Sequence, residues 1–242
     1  MAELQRLEPV DENWERALAV VAHPDDLEYG AASAVARWTS SGKTVAYLLL
    51  TRGQAGIDGM HPSEAGPLRE EEERRSARAV GVDIVEFLDY ADGTIEYSLD
   101  LRRDIARAIR AHRPDVIISM NPHATWGNQY LNMADHRVAG EATLDAARDA
   151  GNRWIFPELV DEGLEPWSGV HAIYFNGSPL PTHAVDITGY LDQGVASLRE
   201  HHAYIAGLGG EFDADAFLRG SAIATGKLLG TDLAVSFEIF RL

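Results

Sequence analysis

Short apolar runs alternate with segments of helical pattern along most of the chain, and this alternation constrains the fold more than any other feature. The predicted strands are the runs at residues 16–24, 44–51, 83–90 and 115–120, with later candidates at 170–175 and 184–188. The predicted helices cover residues 31–43, 71–82, 99–114, 136–151 and 191–205. Strands that are apolar throughout and alternate with helices indicate a mostly parallel sheet covered by helices on both faces. We therefore expect a single-domain α/β protein of Rossmann-like topology over residues 1–242.

Two polar segments follow the second predicted strand. Residues 52–68 contain several Gly and Pro residues and are expected to form a long loop at the carboxyl edge of the sheet, where α/β proteins place their sites. The glutamates at 70–73 then favour the solvated first turn of a helix, since the helix dipole stabilises acidic residues there. Glu70 and Glu71 each precede an arginine by four residues, a spacing that supports ion pairs on a helix surface.

The composition excludes several classes of protein. The chain has 21 Lys and Arg against 38 Asp and Glu, a formal net charge of −17, so nucleic acid and anionic membranes are unfavourable partners. It has no cysteine, which excludes disulfides, thiol nucleophiles and cysteine-based zinc sites. No apolar run reaches the roughly 18 residues of a membrane span. The charged N-terminal segment lacks the apolar core of a secretory signal, and we expect a cytoplasmic protein.

A histidine and two aspartates follow the first predicted strand directly. His23, Asp25 and Asp26 offer imidazole nitrogen and carboxylate oxygen, the ligands of a catalytic divalent ion. One carboxylate could bind the metal while the other accepts a proton from water. An alternative is structural, because either aspartate could cap a helix that begins near Glu28 and His23 could be a hydrogen-bonded core residue.

A second Asp-His pair follows the fourth predicted strand by a loop. Asp135 and His136 open a predicted helix within residues 132–140. In a doubly wound sheet the first and fourth strands lie side by side where the strand order reverses. The two clusters should therefore converge, so that His23, Asp26 and His136 form a His2Asp metal site with an open position.

Taken together, the motifs of this chain resemble those of a known family. The segments AHPDDLEYG, LTRGQAG, YADGTI, RPDVIISMNP and ADHRVAG occur in this order. Over about residues 17–205 the chain resembles the PIG-L (LmbE-like) family of zinc-dependent N-deacetylases, which act on N-acetylglucosaminyl conjugates and related amides. The resemblance implies the LmbE-like fold and Zn²⁺ held by His23, Asp26 and His136, with another divalent ion such as Fe²⁺ as an alternative. It also implies that Asp25 is the general base and that Asp135 orients a catalytic or ligand side chain.

The resemblance and the loops suggest further residues around the substrate. Arg69 and Glu72 match an Arg-x-x-Glu pattern and are candidates for the pocket wall, and Asp92 matches a site-facing Asp-Gly. Trp126 and Tyr130 could stack on a sugar ring. For Arg69 and Asp92 an ordinary loop ion pair is the alternative, and for the two aromatic residues the alternative is loop packing.

One position departs from the family pattern. The family often carries a histidine that stabilises the oxyanion where this chain has Met133, and methionine cannot donate a proton. Either Asp25 serves as both base and acid, or another histidine supplies the missing donor, and His123 and His183 are candidates because each follows a predicted strand end. His201 falls where the family often has a histidine and is a candidate for lining the site.

The resulting hypothesis is a hydrolase that removes an N-acyl group, with acetyl as the first choice, from a small sugar-containing substrate such as an N-acetylglucosaminyl conjugate. The alternatives are a metal-dependent phosphoesterase and a non-catalytic metal-binding relative. A nucleotide-binding module is disfavoured because neither a G-x-G-x-x-G turn nor a phosphate-binding G-K-[ST] loop is present. The acyl group, the sugar, the pathway and a homo-oligomeric state are left open.

Overall fold

The eight strands of the described chain form one sheet. The computed structural model describes residues 6–127, 129–209 and 212–242. The strands are β1 (Glu8–Pro9), β2 (Arg16–Val21), β3 (Thr44–Leu49), β4 (Ile84–Phe87), β5 (Val116–Met120), β6 (Ala172–Asn176), β7 (His183–Asp186) and β8 (Ala234–Arg241). Their order is β1-β7-β8-β6-β5-β2-β3-β4, and every pair is parallel except the two pairs made by β8. The predicted mostly parallel α/β sheet is confirmed.

Helices cover both faces of this sheet. They are α1 (Ala32–Ser40), α2 (Pro62–Ala79), α3 (Leu99–His112), α4 (Ala134–Asp149), α5 (Glu158–Asp161), α6 (Leu191–Arg199), α7 (His202–Gly207) and α8 (Ala214–Leu229). Alternate residues of β2 enter different cores: Ala17 and Ala19 pack with α1, α6 and α8, whereas Leu18 and Val20 pack with α3 and α4. This period of two is the reason why a strand buried on both faces is apolar throughout.

The order of the sheet reverses beside β2. The chain passes from β2 to β3 on one side, while β5 pairs with the other side of β2 in a register that joins Val20 to Ser119. The Ser119 hydroxyl donates to the Val20 carbonyl at 2.8 Å and ties the two strands near their carboxyl ends. The predicted neighbourhood of the first and fourth strands is confirmed, and a crevice opens where they end.

The start of α2 differs from the prediction. The helix begins at Pro62, so it includes the last seven residues of the predicted loop 52–68. His61 caps it by accepting from the Ser63 backbone N–H, and Pro62 occupies the first helical turn, where a missing N–H costs little. Gly66 and Pro67 are poor helix formers, but Gly66 is buried and tertiary packing outweighs local propensity.

The glutamates at 70–73 therefore lie in the middle of α2. The two i,i+4 ion pairs form, with Glu70 at 2.8 Å from Arg74 and Glu71 at 3.5 Å from Arg75. Glu72 and Glu73 are only 1% exposed, so the prediction of a solvated helix start is wrong for them. The helix turns one face toward solvent and buries the other.

The last third of the chain contains more structure than the pattern predicted. The predicted helix 191–205 is two helices, α6 and α7, which are separated at Glu200 and His201. The short β1 and α5, and the longer α8 and β8, were not predicted. Within the described residues, no helix is both long and apolar enough to cross a membrane.

Candidate metal centre

A closed turn, rather than a helix, follows β2. The Asp26 carboxylate accepts hydrogen bonds from the backbone N–H groups of Ala22 and His23, both at 2.9 Å. Helix α1 begins only at Ala32, and its N-cap Ala31 makes no side-chain capping bond. The alternative that an aspartate of this motif caps a nearby helix is therefore wrong. The Asp26 side chain instead folds the turn back onto the end of the strand.

Three buried side chains place one donor atom each at the same point. His23 Nδ1 lies 3.2 Å from His136 Nε2 and 3.6 Å from Asp26 Oδ1, and His136 Nε2 lies 3.0 Å from Asp26 Oδ1. Ligands at 2.0–2.2 Å from a tetrahedral zinc ion are about 3.3–3.6 Å apart, so one ion could contact all three atoms. His23, Asp26 and His136 are each 5% exposed. The structure thus brings the predicted His2Asp set together in an arrangement that fits a divalent ion.

Two carboxylates orient the ring of His23. Its Nε2 lies 3.0 Å from Asp92 Oδ1 and 3.1 Å from Asp135 Oδ2. Asp135 also accepts from the backbone N–H groups of Gly93 and Ile95, which fixes its position in the first turn of α4. A hydrogen on Nε2 leaves the lone pair of Nδ1 for a metal ion, the usual arrangement of a ligand histidine. Burial lowers the pKa of His23, but these carboxylates and Asp26 raise it well above its ordinary value, which shows how anionic the site is.

Asn132 orients the ring of His136 in the same way. Its side-chain amide donates to the carbonyl oxygens of Asn121 and His123 at 2.8 and 2.9 Å, so its oxygen faces His136 Nδ1 at 3.2 Å. The Nδ1–H of His136 is then held there and Nε2 is free to bind metal. Sequence reasoning did not assign this orienting role to Asn132.

Asp25 lies beside the ligand cluster in an uncommon backbone conformation. Its φ of 92° is in the region that residues other than glycine rarely adopt. Its backbone N–H donates to Glu73 Oε2 at 3.2 Å, and its Oδ1 lies 3.0 Å from Arg69 Nη2. Arg69 also donates to the carbonyl oxygens of Pro24 and Gly53, so the guanidinium is fixed on both sides. Burial raises the pKa of Asp25 to about 6, although Arg69 opposes the increase.

The side chains of His23, Asp25, Asp26 and His136 line a cavity of about 280 Å³. Of the predicted substrate residues, Arg69, Asp92 and Trp126 line it. The Trp126 ring packs edge-on against the His136 ring with centroids 5.4 Å apart. A Cβ atom at Gly177 would lie 2.4 Å from Trp126, so the glycine permits this packing.

Glu72 does not line the cavity in the described part of the chain. Its Oε1 accepts from the backbone N–H of Ala203 at 2.6 Å and attaches α7 to α2. The prediction that Glu72 forms the pocket wall is therefore wrong, because the helix turns this residue toward α7. Tyr204, the next residue of α7, does line the cavity, and the Arg69 guanidinium lies 4.1 Å from its ring centroid.

The predicted replacement donors lie elsewhere. His123 Nε2 is 2.7 Å from Glu238, and His183 is the first residue of β7 and contacts Thr182. Neither they nor His201 are among the described residues that line the cavity, whereas Met133 is. The hydroxyl group of Tyr204, which interacts with the Asp25 carboxylate, is a donor on the wall that sequence reasoning missed. Residue 128, within the loop of Trp126 and Tyr130, lies outside the described residues.

The fold and the site define an α/β protein that can bind a metal ion with two histidines and an aspartate at the switch point of its sheet. The family model described as GlcNAc-PI de-N-acetylase (PIG-L) matches residues 18–147. The chain belongs to the PIG-L family, and the resemblance found in the motifs is confirmed.

Individual relatives extend over most of the chain. It is 31% identical over 223 residues to the diacetylchitobiose deacetylase of Thermococcus kodakarensis, covering 89% of this chain and 79% of that protein. Its fold is similar to that of the N,N'-diacetylchitobiose deacetylase from Pyrococcus horikoshii, with a TM-score of 0.84, 24% identity and coverage of 95% and 85%. A conserved protein from Thermus thermophilus is 27% identical with a TM-score of 0.75, covering 91% of this chain and 92% of the other.

Proposed function

We propose that this protein, as a single catalytic domain over residues 1–242, removes the N-acetyl group of an N-acetylglucosamine-containing small molecule in the cytoplasm. The observation that carries the proposal is the convergence of His23, Asp26 and His136 beside Asp25 in one cavity. The deacetylase names of the relatives support the acetyl group and the amino sugar. The cavity of about 280 Å³ offers room for one sugar unit.

The proposed cofactor is Zn²⁺ bound by His23, Asp26 and His136. When bound, such an ion supplies Lewis acidity, which acidifies water and polarises the acyl oxygen. Nδ1 of His23 and Nε2 of His136, together with one carboxylate, are typical zinc ligands. Asp92 and Asp135 hold the His23 ring, and Asn132 holds the His136 ring, so the ligand atoms are oriented before any ion arrives.

Asp25 is the proposed general base. With a pKa of about 6 it is mostly ionised at neutral pH and can still retain a proton for the next step. Asp25 accepts the proton of the attacking water, the water oxygen bonds to the acyl carbon, and the C–N bond breaks. The Asp25 carboxylic acid then protonates the departing nitrogen, which gives acetate and the free amine. Arg69 keeps the carboxylate in place through its 3.0 Å ion pair.

Tyr204 is the proposed donor to the developing oxyanion, in the role that Met133 cannot fill. Burial and the nearby Asp25 raise the pKa of Tyr204 well above its ordinary value, so its hydroxyl remains protonated. A hydrogen-bond donor aimed at the oxyanion stabilises the transition state more than the ground state. Trp126, which is fixed against His136, is the proposed platform for a sugar ring.

The same geometry disfavours a phosphoesterase. Arg69 is the only lysine or arginine among the described residues of the cavity wall, and it is already paired with Asp25. A chain of net charge −17 with three aspartates on this wall repels a phosphate ester.

The test is an amine-release assay on N-acetylglucosamine, diacetylchitobiose and N-acetylglucosaminyl conjugates, with zinc-loaded and chelator-treated protein. We expect zinc-dependent release of amine and acetate from at least one substrate, and no phosphate release from sugar phosphates. His136→Ala should abolish both turnover and metal binding by the His23, Asp26 and His136 set. Zinc-loaded protein that binds the ion but releases no amine from any substrate would support a non-catalytic relative instead.

A further inference from the structure

Three more ionisable side chains meet in the interior, apart from the cavity. Glu28 comes from the turn after β2, Glu73 from α2, and His201 from the break between α6 and α7. All three are at most 1% exposed. His201 Nε2 lies 3.6 Å from Glu73 Oε2 and 3.8 Å from Glu28 Oε2. The structure thus brings two carboxylates and an imidazole close together in the protein interior.

Several polar atoms at this point have no hydrogen-bond partner among the described residues. They are Glu28 Oε2, Glu73 Oε1, both ring nitrogens of His201 and the hydroxyl group of Tyr47. The separations of 3.6 and 3.8 Å are too long for hydrogen bonds between the groups. The second oxygen of Glu28 is satisfied by Ser76 at 2.6 Å, so the unpartnered oxygen is the one that faces His201. Buried polar atoms are almost always satisfied in folded proteins, and a cluster of unsatisfied ones indicates that an ion, a water molecule or a shared proton satisfies them.

The charges favour a cation as that ligand. Two buried carboxylates are unfavourable unless a positive charge or a proton compensates them. Within the described ranges, no lysine or arginine lies at salt-bridge distance from Glu28 or Glu73. Arg69 is paired with Asp25, and Arg75 is paired with Glu200 at 3.1 Å. The compensating cation or proton must therefore come from outside the basic side chains around the cluster.

We propose that Glu28, Glu73 and His201 bind a second divalent cation. Oxygen and imidazole ligands bind zinc at about 2.0–2.2 Å, and one ligand atom from each of the three residues lies within 4.8 Å of the others, so small side-chain movements would bring all three onto one ion. This site shares no ligand with the His23, Asp26 and His136 set and goes beyond the deacetylase function.

The second ion would have a structural role. Glu73 Oε2 accepts the backbone N–H of Asp25, whose φ of 92° needs support from its surroundings. An ion bound to Glu73 fixes this carboxylate and thereby the turn that carries the proposed base. Loss of the ion should loosen the turn without removing any group from the cavity.

The experiment measures metal per chain after loading with zinc chloride and extensive dialysis. We expect two ions in the wild type and one each in His136→Ala and Glu73→Gln. Glu71→Gln, a change on the same helix at an exposed glutamate, should retain two. One ion in the wild type that persists in Glu73→Gln would overturn the proposal. If instead His136→Ala retained both ions while Glu73→Gln lost one, the result would refute the proposed catalytic metal site and support the second site.

Anomalous diffraction from zinc-loaded wild-type crystals makes the test independent of how the variants fold. We expect an anomalous peak within about 2.2 Å of ligand atoms of Glu28, Glu73 and His201. Density for a water molecule, or direct contact between the three side chains with no peak, would show that water or a shared proton satisfies the cluster and would overturn the proposal.

Discussion

Asp25→Asn should slow turnover and at the same time stabilise the metal-free protein. The amide has nearly the shape of the carboxylate but cannot act as a base. It is also uncharged, so it does not require ionisation inside the protein, where Asp25 is 5% exposed. Asparagine tolerates the positive φ of 92° at this position at least as well as aspartate. The change therefore removes one unfavourable feature of the fold, the buried charge, together with the central group of the proposed chemistry.

The size of the stability gain follows from the pKa of Asp25. The ordinary value is 3.8, and burial raises it to about 6 despite the ion pair with Arg69. At about 1.4 kcal/mol per pKa unit, ionisation of Asp25 costs the fold about 3 kcal/mol at pH 7. The folded state holds the proton more tightly than the unfolded chain, so this cost is absent below pH 3.8 and grows as the pH rises to about 6.

Urea unfolding of chelator-treated protein tests this reasoning. We expect Asp25→Asn to be more stable than the wild type by up to about 3 kcal/mol at pH 7, with the difference vanishing near pH 3.5. Turnover of the zinc-loaded variant should fall about 10²–10⁴-fold with unchanged metal content. Asp192→Asn, at an aspartate side chain that is 94% exposed, is the control and should change neither quantity. A variant less stable than the wild type at pH 7 would show that the ion pair with Arg69 outweighs the cost of burial.

Three further predictions concern the groups around the ligands. Asn132→Ala removes the hydrogen-bond acceptor of the ligand His136 and should lower zinc affinity about 10–100-fold. Competition with a chromophoric chelator measures this affinity, and an unchanged value would contradict the orienting role of Asn132. Tyr204→Phe should lower kcat about 10²–10³-fold with little change in KM, whereas a change confined to KM would assign the hydroxyl to substrate binding. Gly177→Ala would place Cβ 2.4 Å from Trp126 and should raise KM. Gly163→Ala is the control for backbone strain, because Gly163 also has a positive φ but its Cβ would face open space. An equal rise in KM in this variant would refute the role of the contact between Gly177 and Trp126.

The meeting of the two motifs could be predicted because it depends on a general rule. The strands that became β2 and β5 are apolar throughout, which indicates burial on both faces. A parallel sheet that reverses its order beside its first strand places the ends of these two strands together. His23 and His136 are 113 residues apart in sequence, yet their ring nitrogens approach to 3.2 Å for this reason.

The burial of Glu72 and Glu73 could not be predicted from local pattern. Their neighbours Glu70 and Glu71 form the i,i+4 pairs that are typical of an exposed helix face, and the sequence does not show what covers the opposite face. That cover comes from α6 and α7, more than a hundred residues later, through contacts such as Ala203 to Glu72. The role of Asn132 was missed for a different reason, since an amide that orients a ligand histidine looks like any polar loop residue.

The turn after β2 concentrates more negative charge than packing can explain. Asp25, Asp26 and Glu28 lie within four residues, Glu73 joins them from α2, and all four are at most 5% exposed. Among the described residues, Arg69 is the only lysine or arginine at salt-bridge distance from any of them. Apolar residues at these positions would give a more stable fold, because buried charges stabilise a fold only when they are compensated. We therefore infer that the acidic residues of this turn serve the proposed cation binding and proton transfer, at a cost in stability.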